Sequence, residues 1–183
     1  MSEHTSHLFV SIQASLAAGK QILEVYESDF AVEYKADNSP LTRADRKSND
    51  ILLAALSEFD IPVLSEEGRE IPYSERKTWE QLWIIDPLDG TKEVIKRNGE
   101  FTVHIALVEY DEPVLGVIYV PVKNVLYFAA RDTGSYKLEN PLGCKWLQKK
   151  PDVQDHPDLM GKIIDSAIKL PAGRQDGAPF TIV

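Results

Sequence analysis

Carboxylate side chains occur at three separated places in the sequence. Asp45 ends the segment KADNSPLTRAD, Glu66 and Glu67 follow PVLS, and Asp86 and Asp89 lie in WIIDPLDGT. Carboxylates and backbone carbonyls are hard oxygen ligands that suit Mg²⁺ or Mn²⁺. A group of such like charges would repel itself unless cations neutralised it. The pattern therefore predicts a divalent-metal site, which could in turn hold an anionic ligand such as phosphate.

Each acidic segment, taken alone, also has an ordinary structural interpretation. Asp-Pro and Asp-Gly are common turn dipeptides, a glutamate pair is typical of a solvated loop, and the helix dipole favours an acid in a first helical turn. Lys92, Lys96 and Arg97 are expected on a solvated helix face, and His104 is expected to be a tolerated strand residue. It is the order of the acidic segments along the chain that favours a site.

Two amphipathic helices near the N-terminus are expected to support the acids. Apolar residues recur at three- or four-residue steps over residues 6–28 and again within 51–59. Thr42 is a suitable N-cap for the second helix, with Asp45 at the capping-box position three residues further on. Asp45 is therefore expected in the first turn of this helix, which ends near Asp60.

Two short apolar runs of strand length lead into the other acids. IPVL, residues 61–64, precedes the glutamate pair, and LWII, residues 82–85, precedes the two aspartates. LWII is a continuous apolar run, which predicts burial on both of its faces. If the two strands lie side by side, Glu66, Asp86 and Asp89 converge at one rim of a sheet. The following segment, TKEVIKR, is expected to form a short helix.

From Phe101 onward the pattern changes to one strand after another. FTVHIALVEY, PVLGVIYV and NVLYFAAR read as strands, and DTGSYKL indicates a turn and a return strand around Gly134. The predicted class is α+β, with two N-terminal helices packed on a mainly antiparallel sheet. Residues 1–139 are assigned to one metal-binding α+β domain. Residues 140–183 are broken by prolines and are expected to be loosely organised, with only KIIDSAIKL indicating a helix.

The composition limits the classes of partner. The chain has 183 residues, a net charge of −9 and a single cysteine, Cys144. The acidic balance argues against nucleic acid or anionic membranes as partners. No apolar run approaches the roughly 20 residues that span a bilayer, so no integral membrane segment is expected. A lone thiol and an N-terminus without a signal-peptide pattern predict a cytoplasmic protein.

Four segments together carry a resemblance to a known family. They are KADNSPLTRAD (35–45), PVLSEE (62–67), WIIDPLDGTKEVIKRNGEFTVHIALVE (83–109) and GVIYVPVKNVLY (116–127). With these segments the chain resembles the inositol monophosphatase-like superfamily of metal-dependent, lithium-inhibited phosphatases. Within it, DPLDGTKE followed by KRNGEFTV is typical of the CysQ-type 3′(2′),5′-bisphosphate nucleotidases. The likeness extends from residue 8 to about residue 138.

The resemblance implies a metal-ligand set. Glu66, Asp86 and Asp89 would coordinate the metal through their carboxylates, and Leu88 through its backbone carbonyl oxygen. Glu67 completes the acidic pair as a secondary candidate. The implied cofactor is Mg²⁺, as two or three ions, with Mn²⁺ as a substitute.

The resemblance also implies catalytic and substrate-binding roles. Asp45 and Thr91 would orient and activate the attacking water, with Glu66 beside them. Gly90 and Thr91 would offer backbone N–H groups to the phosphate at the start of a helix. The implied partner is a small phosphorylated nucleotide: removal of the 3′-phosphate of adenosine 3′,5′-bisphosphate gives AMP and phosphate, a reaction of sulfur assimilation.

Two alternatives stay open. One is a phosphatase for another sugar phosphate or inositol phosphate. The other is a fragment that binds metal or phosphate without catalysis. Family members are longer and carry a Trp-Asp motif in a second half, whereas Trp79, Trp83 and Trp146 are followed here by Glu, Ile and Leu. The sequence therefore predicts a chain that is cut short, with little or no turnover, and an exposed apolar surface that favours self-association.

Overall fold

A computed structural model describes residues 4–28, 33–34, 40–41, 43–131, 133–148 and 155–171. The helices in these ranges are α1 Thr5–Tyr26, α2 Arg43–Leu56, α3 Tyr73–Arg76, α4 Thr91–Lys96 and α5 His156–Ser166. The strands are β1 Glu33–Tyr34, β2 Pro40–Leu41, β3 Val63–Ser65, β4 Gln81–Asp89, β5 Thr102–Glu109, β6 Glu112–Val120, β7 Val125–Ala130, β8 Gly134–Glu139 and β9 Ile168–Lys169. Two short 3₁₀ turns lie at Pro141–Gly143 and Lys145–Gln148.

Seven of the strands form one sheet, in the order β3-β4-β5-β6-β7-β8-β9. The pair β3–β4 is parallel, and every other neighbouring pair is antiparallel. From β4 onward the spatial order follows the chain order, which is the predicted meander. The predicted α+β class, with α1 and α2 on a mainly antiparallel sheet, is confirmed. Strands β1 and β2 form a separate antiparallel pair.

The two N-terminal helices lie close to their predicted bounds. Helix α1 buries Leu8, Ile12 and Ile22, which lie on the stripe that a helix of 3.6 residues per turn presents to a core. Helix α2 ends at Leu56, four residues before the predicted end, and Phe59 then donates its N–H to the Leu56 carbonyl at 3.1 Å in a turn. The predicted N-cap of α2 lies outside the described residues.

The hydrophobic core lies between the helices and one face of the sheet. Strand β5 alternates as the sequence predicts, with Val103, Ile105 and Leu107 buried. The prediction that LWII is buried on both faces is wrong. Trp83 faces the helices and is fully buried, whereas Ile84 is 41% exposed on the opposite face. In the described part of the chain the helices cover one face of the sheet, so β4 alternates between buried and more exposed residues as β5 does.

Strand β4 is longer than predicted and contains an irregularity. Asp86 pairs with His104 of β5 and Asp89 pairs with Thr102, so three steps along β4 match two steps along β5. The extra residue is a β-bulge, which bends the strand and re-aims its side chains. Pro87 lies within this bulge, where its missing N–H costs no ladder hydrogen bond.

The described residues beyond position 140 are more ordered than the sequence indicates. Helix α5 buries Met160 and Ile163, three residues apart on one helix face. The His156 ring packs against the Phe9 ring of α1, with 4.6 Å between the ring centroids. Strand β9 then pairs with β8 and extends the same sheet. Long-range packing on α1 supplies the order that local propensity does not. The division of the chain after residue 139 stays a prediction, and residues 172–183 lie outside the described residues.

Among the described helices, none is both long and apolar enough to cross a membrane.

Candidate functional site

The ends of β3 and β4 bring two of the acidic segments together. Ser65 pairs with Ile85 in the parallel register, and the Glu66 N–H donates to the Ile85 carbonyl at 3.1 Å. Parallel strands end at the same edge of a sheet, so Glu66 directly neighbours Asp86. The expectation that the two strands lie side by side is confirmed.

The Asp86 carboxyl lies in a region of negative charge. Burial raises the pKa of the Asp86 carboxyl above its ordinary value, and the charges of Asp89 and Glu67 raise this pKa further. Two groups lower this pKa. They are the Leu88 N–H, which donates to Asp86 Oδ1 at 3.1 Å, and His104. The shift means that the surroundings of Asp86 penalise its ionised form, which is the condition that a bound cation relieves.

Three hydrogen bonds hold the DPLDGT segment, two within the segment and one from helix α2. The Asp86 carboxylate accepts from the Leu88 N–H, and the Thr91 hydroxyl donates to the Leu88 carbonyl at 3.3 Å. From helix α2, the Ser48 hydroxyl donates to the Pro87 carbonyl at 2.5 Å. The Leu88 carbonyl, a predicted metal ligand, is therefore fixed in place by Thr91.

Gly90 turns the chain from β4 into α4. Its φ of +94° lies in the left-handed region that favours glycine. A Cβ at this position would stand 2.8 Å from the Glu100 carbonyl oxygen, so a larger residue would also collide with the backbone. The N–H groups of Glu93 and Val94 donate to the Gly90 carbonyl and begin the helix. The predicted phosphate-binding pair, Gly90 and Thr91, stands at this start.

Asp45 lies on the face of helix α2 that is turned toward the end of β4. Its side chain is 3% exposed and lies in the first turn of α2, as predicted. Ser48 follows three residues later and is therefore on the same face of the helix. Because Ser48 contacts the Pro87 carbonyl, this face of α2 is the one turned toward the acidic end of β4.

The oxygen atoms at this rim are of the kind that a divalent cation prefers, but the side chains that carry them do not converge on one point. Carboxylates at one rim, with a backbone carbonyl among them, are the ligands that Mg²⁺ prefers, and Mg²⁺ keeps several waters. Within the described ranges, no three Asp, Glu, His or Cys side chains stand close enough together to hold one ion. The strands thus bring the backbones of the acidic residues together without closing their side chains around a point.

Several contacts of the site escaped sequence reasoning. Asp86 pairs across the sheet with His104, whose ring nitrogen Nε2 lies 2.7 Å from the Thr102 hydroxyl. His104, which the sequence predicts to be a tolerated strand residue, lies beside an acid of the site. The signal in the sequence is its place in the alternation of β5, opposite in phase to the buried residues.

Arg97 is exposed, as predicted, and lies directly after α4, but it also makes contacts that the sequence does not predict. Its guanidinium donates to the carbonyls of Tyr26 and Ser28, both at 2.6 Å, just where α1 ends. A cation at a helix C-terminus is favoured by the helix dipole. Arg97 therefore ties the end of α4 to the end of α1. Lys96 does lie on the exposed side, paired with Glu93 at 3.0 Å.

The outer face of the sheet forms an apolar groove that runs up to the acids. Its volume is about 500 Å³. The groove residues are Leu64, Ser65, Glu66, Ile84, Ile85, Asp86, His104, Ile105, Ala106, Gly116, Val117 and Ile118. Polar residues of the acidic rim therefore stand at one end of an otherwise apolar surface.

In the described part of the chain, a meander sheet with helices on one face and acidic residues at the ends of β3 and β4 define an α+β domain. The chain belongs to the inositol monophosphatase family, whose sequence model matches residues 3–169.

Named relatives within this family are similar over most of the chain. The 3′(2′),5′-bisphosphate nucleotidase CysQ of Salmonella typhimurium is 50% identical over 122 residues, which are 64% of this chain and 49% of that protein. CysQ of Escherichia coli K12 is 48% identical over 125 residues, with the same two shares. The chain spans about half the length of these curated relatives.

Solved structures agree with the fold. The crystal structure of CysQ from Bacteroides thetaiotaomicron, described as a bacterial member of the inositol monophosphatase family, superposes with a TM-score of 0.76 at 46% identity. The superposition covers 94% of this chain and 60% of the CysQ chain. The extragenic suppressor protein suhB from Bartonella henselae gives a TM-score of 0.62 at 32% identity, over 70% of this chain and 50% of that chain.

Proposed function

We propose that this chain carries the metal-binding half of a phosphomonoesterase that removes the 3′-phosphate of adenosine 3′,5′-bisphosphate, giving AMP and phosphate. The observation that carries the proposal is the meeting of Glu66 and Asp86 at the common end of β3 and β4. The similarity to CysQ proteins supports a bisphosphate nucleotide over an inositol phosphate as substrate. A role in sulfur assimilation and a cytoplasmic location, with Cys144 kept reduced, belong to the same proposal.

The proposed metal ligands are the carboxylates of Glu66, Asp86 and Asp89 and the carbonyl oxygen of Leu88, with Glu67 as a further acid. When bound, divalent ions such as Mg²⁺ would activate water and offset the charge on the phosphate. The chain's own contribution is to hold these oxygen atoms at one rim. The hydrogen bond from Thr91 to the Leu88 carbonyl and the bulge at Pro87 serve this purpose.

The proposed catalytic residues approach from two sides of that rim. Asp45, buried in the first turn of α2, would accept a hydrogen bond from the attacking water and orient it, and Glu66 would lie beside that water. Thr91 would present its hydroxyl from the start of α4. Attack at phosphorus forms one P–O bond as the bond to the 3′-oxygen breaks, and the departing oxygen takes up a proton. Positioned charge supplies most of the catalysis in such a displacement.

The proposed phosphate contacts are the backbone N–H groups of Gly90 and Thr91. The left-handed conformation of Gly90 turns the chain from β4 into α4 and so places these two residues at the start of that helix. A phosphate bound there would face the acids only with cations between them, because both are negatively charged.

The test is phosphate release from adenosine 3′,5′-bisphosphate with Mg²⁺, with and without Li⁺, beside inositol 1-phosphate as a competing substrate. Release from the nucleotide that depends on Mg²⁺ and is suppressed by Li⁺ is the expected result for a catalytically complete site. Faster release from inositol phosphate would favour the other substrate class. The same assay on a full-length relative sets the scale.

A second candidate is binding without turnover. One observation favours it: the acids of the described ranges form no closed ligand group, so a cation at the rim would be held largely through water. Calorimetric titration with Mn²⁺ and the bisphosphate separates the candidates. Heat of binding without phosphate release would indicate a non-catalytic metal- and phosphate-binding chain.

We also propose that this chain self-associates through the outer face of its sheet. Ile84, Ile118 and Tyr127 are 41%, 42% and 37% exposed there. Contiguous apolar surface of this kind favours burial against another surface. The proposed occupant is a second copy of the chain.

A further inference from the structure

We infer that Ser65 is a positioning residue whose hydroxyl fastens the Glu66–Glu67 turn to helix α2 and thereby sets where these carboxylates lie. The inference rests on the proposed function, in which the acids of this turn contribute to a divalent-cation site. Ser65 itself would touch neither the cation nor the substrate.

Two hydrogen bonds meet at the Ser65 hydroxyl. It donates to Asn49 Oδ1 of α2 at 2.7 Å, and it accepts from the Glu67 N–H at 3.2 Å. The Ser65 carbonyl accepts from the Gly68 N–H at 3.0 Å, which closes the turn on itself. One side chain therefore links the backbone of an acidic residue to a helix.

The turn depends on this link because its own strand supports it weakly. Strand β3 has three residues and stands at the edge of the sheet, bonded to β4. Glu67 lies close enough to Asp86 for their charges to repel. Repulsion at an edge strand would move the turn away from the rim, and the hydrogen bonds through Ser65 oppose that movement.

Helix α2 contacts both acidic segments, each through one of two consecutive residues. Ser48 donates to the Pro87 carbonyl of the DPLDGT turn, and Asn49 accepts from Ser65 of the other turn. Consecutive residues of one helix thus fix the two turns relative to each other. Asp45 lies one helical turn earlier on the same helix. Groups that orient metal ligands from outside the ligand set commonly change metal affinity by roughly 10- to 100-fold.

The experiment compares the full chain with the variants Ser65→Ala, Ser65→Thr and Asn49→Ala. Ser57→Ala is the matched control, because the Ser57 hydroxyl donates to Ala54 at 2.8 Å on an exposed surface at the end of α2. Mn²⁺ affinity is measured by calorimetric titration, and amide hydrogen exchange is measured at residues 65–68. Melting temperature reports whether each variant is folded.

We expect Ser65→Ala and Asn49→Ala each to weaken Mn²⁺ binding about 10-fold and to speed exchange of the Glu67 amide. Ser65→Thr keeps a hydroxyl and is expected to recover most of the affinity. Ser57→Ala is expected to change neither readout.

Three results would overturn the inference. Unchanged Mn²⁺ affinity in Ser65→Ala would show that the hydroxyl does not position a ligand, whatever the exchange rate. Unchanged exchange at Glu67 would show that the turn does not depend on Ser65. Equal weakening by Ser57→Ala would show a general effect on α2. Failure of the unsubstituted chain to bind Mn²⁺ would instead refute the proposed function, and the inference would fall with it.

Discussion

The Ser48 hydroxyl donates a hydrogen bond of 2.5 Å to the Pro87 carbonyl, and this contact joins helix α2 to the bulge of β4. Ser48 is fully buried and Pro87 is buried as well, so the carbonyl that accepts this hydrogen bond is shielded from solvent. The proline contributes no N–H, and the strand is irregular at that point. The bulge that carries Asp86 and Asp89 is therefore held by a side chain 39 residues away in the sequence.

Ser48→Ala is expected to lower the free energy of unfolding by about 1–3 kcal/mol, because it leaves a buried carbonyl without its donor. Urea denaturation followed by circular dichroism measures this change. Ser57→Ala removes an exposed serine of the same region and is expected to cost under about 0.5 kcal/mol. Equal costs for the two variants would contradict the role assigned to Ser48.

Gly90→Ala is expected to destabilise the chain by roughly 1–3 kcal/mol, since it places a side chain at a φ of +94° against the Glu100 carbonyl. Gly116→Ala is the matched control: a Cβ there meets nothing within 4 Å. That control is expected to be neutral or slightly stabilising, because alanine lowers the entropy of the unfolded chain. Thermal melting of both variants measures the difference, and a reversed order would refute the prediction.

Asp89→Asn is expected to weaken Mn²⁺ binding at least about 10-fold while leaving the metal-free chain as stable as before, or more so. The charge of Asp89 raises the pKa of the Asp86 carboxyl, so its removal relieves repulsion. Asp111→Asn changes the same charge in an exposed turn and serves as the control. Calorimetry and denaturation in the presence of a chelator give the two readouts. A metal-free loss of stability with unchanged Mn²⁺ affinity would point to a structural role for Asp89.

Tyr119 is expected to make folding sensitive to alkaline pH. Burial raises the pKa of its hydroxyl to about 12, above the ordinary value of about 10. The folded state therefore retains the proton longer than the unfolded state. The contribution to stability is complete below about pH 10 and is lost as the pH rises through 12.

The Tyr119→Phe variant tests this dependence. It loses the hydrogen bond to Asn124 Oδ1 but has no hydroxyl to ionise, so its stability should fall less between pH 10 and 12 than that of the unsubstituted chain. Denaturant midpoints at half-unit pH steps measure the two curves. Parallel curves would mean that another group dominates in this range.

Replacing Ile84 and Ile118 together by threonine is expected to reduce self-association, because it removes apolar area from the outer face of the sheet while keeping residues that favour strands. Leu53→Gln, at a 37% exposed position of α2, is the control on the other side of the molecule. Sedimentation velocity over a range of concentrations measures association. A monomeric unsubstituted chain would remove the basis for the proposal.

Local sequence determined much of the fold. The three- and four-residue spacing of apolar side chains defines α1 and α2, and the alternation over Val103, Ile105 and Leu107 defines β5. The residue types of DPLDGT also indicated a break in the regular strand, because Pro87 has no N–H for a sheet ladder and Gly90 tolerates a left-handed backbone. Each of these properties depends on neighbours within a few positions, which a single sequence displays.

The tertiary structure decided what the periodic pattern leaves undefined. An apolar run such as LWII gives no sign of whether one or both faces are covered, and the exposure of Ile84 follows from where the helices pack. The acids share a rim because β3 pairs with β4 in one parallel register. The hydrogen bonds from Ser48 and Ser65 span 39 and 16 positions of chain. Such pairings depend on how separate elements meet in space, so the residue types alone could name the acids but not the side chains that hold them together.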